Sequence, residues 1–272
     1  MPHADAGGAR IYYEAAGDGE PLLLIPGFGA TTTVYWANVP ELSRRFRVIA
    51  FDPRGSGRSD SPAGAYTMEM FADDCIAVLD VAGEGAAHVF GTSFGGMVAQ
   101  HLALRHPRRV RRLVLGCTTV GGDRHVLPPA ENVARFLGAA DIADPAEAAR
   151  AVYPLHYSDA YAAAHDAEIV ARALANEWLR STPEGRAGQL AAVQGHDTHD
   201  RLRDIAAPTL VAHGADDGII PVKNGRILAA GIPDARLVVY PRARHIYFAE
   251  CAARVNADIA AFLTAGETSG PK

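Results

Sequence analysis

Apolar runs of strand length recur along the chain, each bordered by Gly or Pro: Leu22 to Ile25, Val48 to Phe51, Ala87 to Phe90, Leu113 to Leu115, Leu210 to Ala212 and Leu237 to Tyr240. The runs are continuous rather than alternating, which predicts strands buried on both faces. Between them lie helical patterns. The clearest joins Met68, Phe71, Ala72, Cys75, Ile76 and Leu79 into one apolar stripe at i, i+3, i+4 spacing. Strands that alternate with helices in this way predict a mostly parallel, doubly wound sheet covered on both sides.

From Val120 to Asp200 the alternation stops. That stretch is Ala-rich and helical in pattern, and Pro128, Pro129, Pro145, Pro154 and Pro183 divide it into short pieces. Sheet character returns at Pro208, so residues 120–200 are expected to form a helical cap inserted into a core made of 1–119 and 201–272. No internal repeat and no low-complexity linker is visible. The polar tail from Thr264 to Lys272 is expected to fray.

Composition narrows the functional classes. The chain has 272 residues, 49% of them hydrophobic, enough for a large core that needs neither disulfides nor a structural metal. A net charge of -5 is too mild for a nucleic-acid or membrane surface and favours a small-molecule partner. The three cysteines, Cys75, Cys117 and Cys251, are far apart and odd in number, as expected of reduced thiols. The N-terminal stretch is charged and Gly-rich where a signal peptide would be apolar, and no window approaches the roughly 18 apolar residues of a membrane span. A cytoplasmic, soluble protein is expected; the oligomeric state is left open.

The chemistry begins at Gly91-Thr92-Ser93-Phe94-Gly95-Gly96, between strand Ala87 to Phe90 and a helical run that lasts to Pro107. This is a G-x-S-x-G turn in its required setting, strand before and helix after. A serine on so sharp a turn needs neighbours without Cβ two positions either side, and Gly91 and Gly95 meet that need. The backbone N–H of Phe94, at the helix N-terminus, would face an oxyanion formed by attack of Ser93. A serine hydroxyl needs a base, and the base an orienting carboxylate. Strand Leu210 to Ala212 runs into a loop bearing Asp216 and Asp217, and strand Leu237 to Tyr240 into a loop bearing His245. In a parallel sheet these loops share one edge with Ser93.

In these motifs the chain resembles the α/β-hydrolase superfamily from about Ile11 to Leu263. Pro26-Gly27-Phe28-Gly29 is similar to the family's oxyanion loop, although the family more often has His where Pro26 stands, and the resemblance makes the N–H of Phe28 the second oxyanion donor. Phe51-Asp52-Pro53-Arg54-Gly55-Ser56-Gly57-Arg58-Ser59-Asp60 resembles a loop that is architectural in the family. The family's acid stands three positions after the strand-ending glycine and four before a proline, a register that fits Gly214, Asp217 and Pro221 and selects Asp217 over Asp216. The resemblance implies a triad of Ser93, Asp217 and His245, no cofactor and no metal. It extends to lactonases, carboxylesterases and cofactor-free haloperoxidase-like members, while Ser93 argues against dehalogenases and epoxide hydrolases, which carry Asp there.

Cleavage of a small organic ester or lactone is the function expected. Carbon–carbon bond hydrolysis of ring-cleavage diketones on the same triad remains open, as does a non-catalytic small-molecule receptor on this fold. Gly27-Phe28-Gly29 followed by Asp52 also matches part of a dinucleotide fingerprint, but Thr32 occupies the third glycine position and Pro40 interrupts the helix that should follow. His196-Asp197-Thr198-His199-Asp200 has metal-ligand residue types without the spacing of a zinc motif. In the helical insert, Trp178 and Tyr157 are expected to line the substrate pocket.

Overall fold

The computed structural model describes residues 2–265, so 266–272 of the tail expected to fray lie outside the described residues. Eight strands form one sheet: β1 (His3–Asp5), β2 (Arg10–Ala16), β3 (Glu20–Ile25), β4 (Phe46–Phe51), β5 (Ala87–Thr92), β6 (Val110–Gly116), β7 (Thr209–Gly214) and β8 (Ala235–Tyr240). Their spatial order is β1-β2-β4-β3-β5-β6-β7-β8. From β4 to β8 neighbouring strands run parallel, while β1 and β2 add an antiparallel edge. This is the doubly wound sheet that the continuous apolar runs predict.

Side chains along each strand alternate between two cores because the strand period is two. Leu23 and Ile25 join Ile49, Val89, Leu113 and Val211 in one core, under the helices Met68–Val81, Phe94–Arg105 and Lys223–Gly231. Leu22 and Leu24 join Val48, Phe90, Val114 and Leu210 in the other, against the helix Ala252–Leu263. Helix Met68–Val81 starts where Thr67 caps it by accepting from the N–H of Met70.

The topology places a crevice. From β3 the chain crosses to β4 on one side and then returns past β3 to β5 on the other, so the connections diverge beyond the carboxyl ends of β3 and β5. The turn after β3 carries Phe28 and the turn after β5 carries Ser93.

Between β6 and β7 lie the helices Ala130–Gly138, Pro145–Ala151, Tyr153–His156, Asp159–Ala175 and Pro183–Gln194. Proline opens pieces of this excursion: Pro145 and Pro183 begin helices, where a missing N–H costs nothing, and Asp144 and Thr182 cap the same two. A bridge between Gly121 and Asp197 ties the excursion's two ends together. Asp52 accepts from the N–H groups of Thr32 and Arg58, and Arg54 is buried in a salt bridge with Asp74, so both residues of the 51–60 loop are fully engaged in holding loops together. Among the described residues no helix is long and apolar enough to cross a membrane.

Candidate active site

Ser93 has φ 55° and ψ -120°, a conformation that a residue with a Cβ enters only at a cost of about 1–3 kcal/mol. The surroundings hold it there. Its N–H donates to the Gly116 carbonyl (2.8 Å), and its own carbonyl accepts from Gly96 N–H (2.9 Å) and the Thr118 hydroxyl (2.7 Å). The two glycines expected to be obligatory are so by contact: a Cβ on Gly91 would stand 2.2 Å from the Gly95 oxygen, and one on Gly95 2.0 Å from the Ile25 oxygen. A third requirement was not legible in the motif, since a Cβ on Gly96 would meet the Thr118 side chain at 2.6 Å.

Asp217 and His245, from the loops after β7 and β8, are both buried, and Asp217 Oδ2 accepts from His245 Nδ1 at 2.8 Å. A proton on Nδ1 leaves Nε2 as the basic nitrogen of a neutral ring. The other carboxylate oxygen, Oδ1, accepts from the N–H groups of Ile219 and Ile220, each at 2.9 Å. Burial alone would raise the pKa of Asp217, but the charge of His245 and the hydrogen bond from its ring, with the His213 ring close by, outweigh it and hold the carboxyl well below its usual range. His213 Nε2 donates to the Ile220 carbonyl at 2.7 Å and lies 3.4 Å from Asp217 Oδ2. Asp216 is exposed and contributes its N–H to the Ala243 carbonyl. The structure thus pairs the histidine with one of the two adjacent acids.

Cys117 links this pair to the serine turn. Its neighbours Gly116 and Thr118 both bond to Ser93, and its sulfur lies within 4.8 Å of the nearest ligand atoms of Asp217 and His245. Burial, with the charge of Asp217, pushes the thiol pKa far up, so it is a neutral spacer. Nothing in the sequence marked it.

The loop after β3 packs against Ser93, with Gly27 so close that a Cβ there would sit 3.4 Å from that of Ser93. Gln189, from the helical excursion, fixes this loop: its Oε1 accepts from Gly29 N–H (2.8 Å), and its Nε2 donates to the Arg54 carbonyl and the Ser56 hydroxyl. The N–H of Phe28 is used by neither contact, and that of Phe94, first in its helix, has no acceptor within the helix. A second tie runs from the excursion to the histidine loop, where His245 N–H donates to the Leu155 carbonyl and Ile246 N–H to that of His156. The His156 ring stacks on His245 with centroids 6.3 Å apart, and burial and the neighbouring His245 lower the pKa of His156 to about 3.

Ser93 opens onto a cavity of about 520 Å³ between the sheet edge and the excursion. Phe28, Met97, Val133, Phe136 and Leu190 supply much of its apolar wall. Trp178 and Tyr157, expected there, stand elsewhere. Trp178 is 68% exposed, and Tyr157 stacks on Tyr161 in a separate cleft with Trp36 and Arg172. The helix Ala130–Gly138 presents Val133, Phe136 and Leu137 to the cavity instead. Of the histidine-rich stretch, His196 turns inward to the Thr119 carbonyl and His101, while His199 pairs with exposed Asp200.

Residues 20–250 match the family described as alpha/beta hydrolase fold. The chain is 32% identical to 2-hydroxymuconate semialdehyde hydrolase of Pseudomonas sp. (strain CF600), over 97% of this chain and 94% of that one. Among solved structures it is similar to the enol-lactonase from Burkholderia xenovorans LB400, at TM-score 0.84 and 28% identity over 97% of this chain and 100% of that one. It is similar also to a thermophilic esterase from Thermogutta terrifontis, at TM-score 0.82 and 29% identity over 98% of this chain and 99% of that one.

Proposed function

Because the chain belongs to the α/β-hydrolase fold family and is a hydrolase, we propose that it cleaves a small carboxylic ester or lactone through an acyl-enzyme on Ser93. The observation that carries this reading is the buried Asp217–His245 pair, 2.8 Å apart and joined through Cys117 to a strained serine turn at the mouth of a cavity. Ser93 Oγ attacks the substrate carbonyl while His245 Nε2 takes its proton, and Asp217 stabilises the imidazolium without itself accepting a proton. The N–H groups of Phe28 and Phe94 receive the oxyanion, a contribution of the order of 10²–10³ in rate for each donor. His245 then protonates the leaving alcohol. Water, deprotonated by the same ring, attacks the acyl-enzyme and releases the acid.

Residues 120–200 act in this reading as the cap that selects substrates. They supply Phe136 and Leu190 to the cavity and, through Gln189 and Leu155, hold the loops that bear Phe28 and His245. A second reading, carbon–carbon bond hydrolysis on the same residues, is favoured by the relative named for 2-hydroxymuconate semialdehyde. Turnover of p-nitrophenyl acetate by the wild-type protein, with loss of at least about 10³-fold in Ser93→Ala, tests the first reading. Wild-type turnover in Ser93→Ala would remove it.

A further inference from the structure

The cavity at Ser93 contains no Asp, Glu, Lys or Arg side chain among its lining residues. Its polar groups are Ser93, Thr119, His125, Asn132, Gln194 and His196, and three of these six are already committed. The Thr119 hydroxyl donates to Asn224 Oδ1, Asn132 Nδ2 donates to the Gly218 carbonyl, and both ring nitrogens of His196 are engaged, one by the Thr119 carbonyl and one by His101. His125 offers a buried Nε2 without a partner among the described residues. The start of helix Phe94–Arg105, electropositive through its unpaired N–H groups, is where the reacting carbonyl oxygen must go. Leu127, Val133, Leu137 and Leu190, all exposed large hydrophobic residues, extend the apolar wall outward.

We infer that the site accepts electrically neutral substrates with an apolar acyl part and rejects those whose acyl part carries a carboxylate. This deepens the serine-hydrolase reading and rests on it. A carboxylate drawn into this wall would lose its water and find no cation, a penalty that an uncharged ester of the same length does not meet. The two histidines do not supply the missing charge, since burial lowers the pKa of His125 and lowers that of His196 to about 4. Arg180 and Arg186 lie in the adjoining cavity, beyond the shared wall of Phe28, Phe136, Leu137 and Leu190, and each is matched to an acid: Arg180 to Glu177 at 3.0 Å, Arg186 to Asp141 at 3.7 Å.

Three p-nitrophenyl esters separate charge from size: the hexanoate, the monoester of adipic acid with its far carboxylate free, and the same adipate capped as a methyl ester. The expected result is similar kcat/KM for the hexanoate and the methyl-capped adipate, with the free adipate about 100-fold lower. Leu137→Arg, placed on the exposed part of the wall, should raise the ratio of free to capped adipate at least about tenfold. Equal turnover of free and capped adipate, lost in Ser93→Ala, would overturn the inference and leave the serine-hydrolase reading standing. Turnover of the hexanoate that survives Ser93→Ala would overturn both.

Discussion

Replacing Asp217 by asparagine changes one atom and should disable the site without collapsing it. In the wild-type protein Oδ1 takes the N–H groups of Ile219 and Ile220 at 2.9 Å, and an asparagine carbonyl can keep both. The other arm then presents NH₂ where a carboxylate oxygen accepted from His245 Nδ1 at 2.8 Å. An NH₂ there donates to Nδ1, which moves the ring proton to Nε2, the nitrogen that in the proposed mechanism takes the proton from Ser93. The variant loses both the productive tautomer and the charge opposite the imidazolium, and kcat should fall about 10⁴-fold, or about 5.4 kcal/mol. Stability should fall by only about 1.5–3 kcal/mol, the worth of one hydrogen bond to a charged group. Asp216→Asn is the control: that side chain is exposed and its N–H, not its carboxylate, holds the loop, so kcat should fall tenfold at most. The assay is initial velocity on p-nitrophenyl acetate at saturating substrate, with thermal unfolding to verify that both variants fold. A larger loss in Asp216→Asn, or losses below about tenfold in both, would refute the assignment of Asp217 as the orienting acid.

The elbow and its supports make further predictions. Gly95→Ala sets a Cβ 2.0 Å from the Ile25 oxygen and 2.6 Å from that of Pro26, so it should cost about 3 kcal/mol in urea unfolding and lose activity with it, whereas an unchanged midpoint would mean the turn can relax. Gln189→Leu removes the acceptor of Gly29 N–H, and through that loop it should lower kcat about tenfold while changing KM little; a change confined to KM would show that the loop positions substrate rather than the oxyanion. His196 is held neutral, burial lowering its pKa to about 4 against an unfolded value near 6.5, so the unfolded chain binds the extra proton between those limits. Its contribution to stability is fully present above about pH 6.5 and is lost as pH falls toward 4, at up to about 1.4 kcal/mol per unit, and His196→Gln should flatten that part of the stability curve; an unchanged slope would place the proton elsewhere.

Much of the sheet was legible because its strands are buried on both faces and therefore read as unbroken apolar runs, as Leu22 to Ile25 and Leu210 to Ala212 do. The antiparallel edge was not. In β2 only Ile11 and Tyr12 are buried, Tyr13 is half-buried and the other four residues are exposed, so no run and no alternation marks it. The helix Lys223–Gly231 is short, with glycine inside it and at its end, and lacks a stripe long enough to read. At the site, the motifs marked the glycines that the turn at Ser93 needs by contact and singled out Asp217, in register with Pro221, which pairs with His245. What surrounds these residues carries no motif. Gln189 reaches the loop after β3 from 160 residues away, and Cys117 sits beside His245 only because β6 lies between β5 and β7. The same holds for the wall: Tyr157 and Trp178 look like pocket residues by type, but Tyr157 lines a separate cleft, Trp178 is 68% exposed, and the wall at Ser93 is built by Val133, Phe136 and Leu190.

In the proposed mechanism Ser93 is a nucleophile, made so by its turn and by His245. Reaction of the folded protein with a fluorophosphonate, followed by digestion and peptide mass spectrometry, tests it directly. A single adduct is expected on the peptide carrying Ser93, formed in the wild-type protein and slowed by orders of magnitude in His245→Ala. An adduct on another residue, or labelling of Ser93 at an undiminished rate without His245, would contradict it.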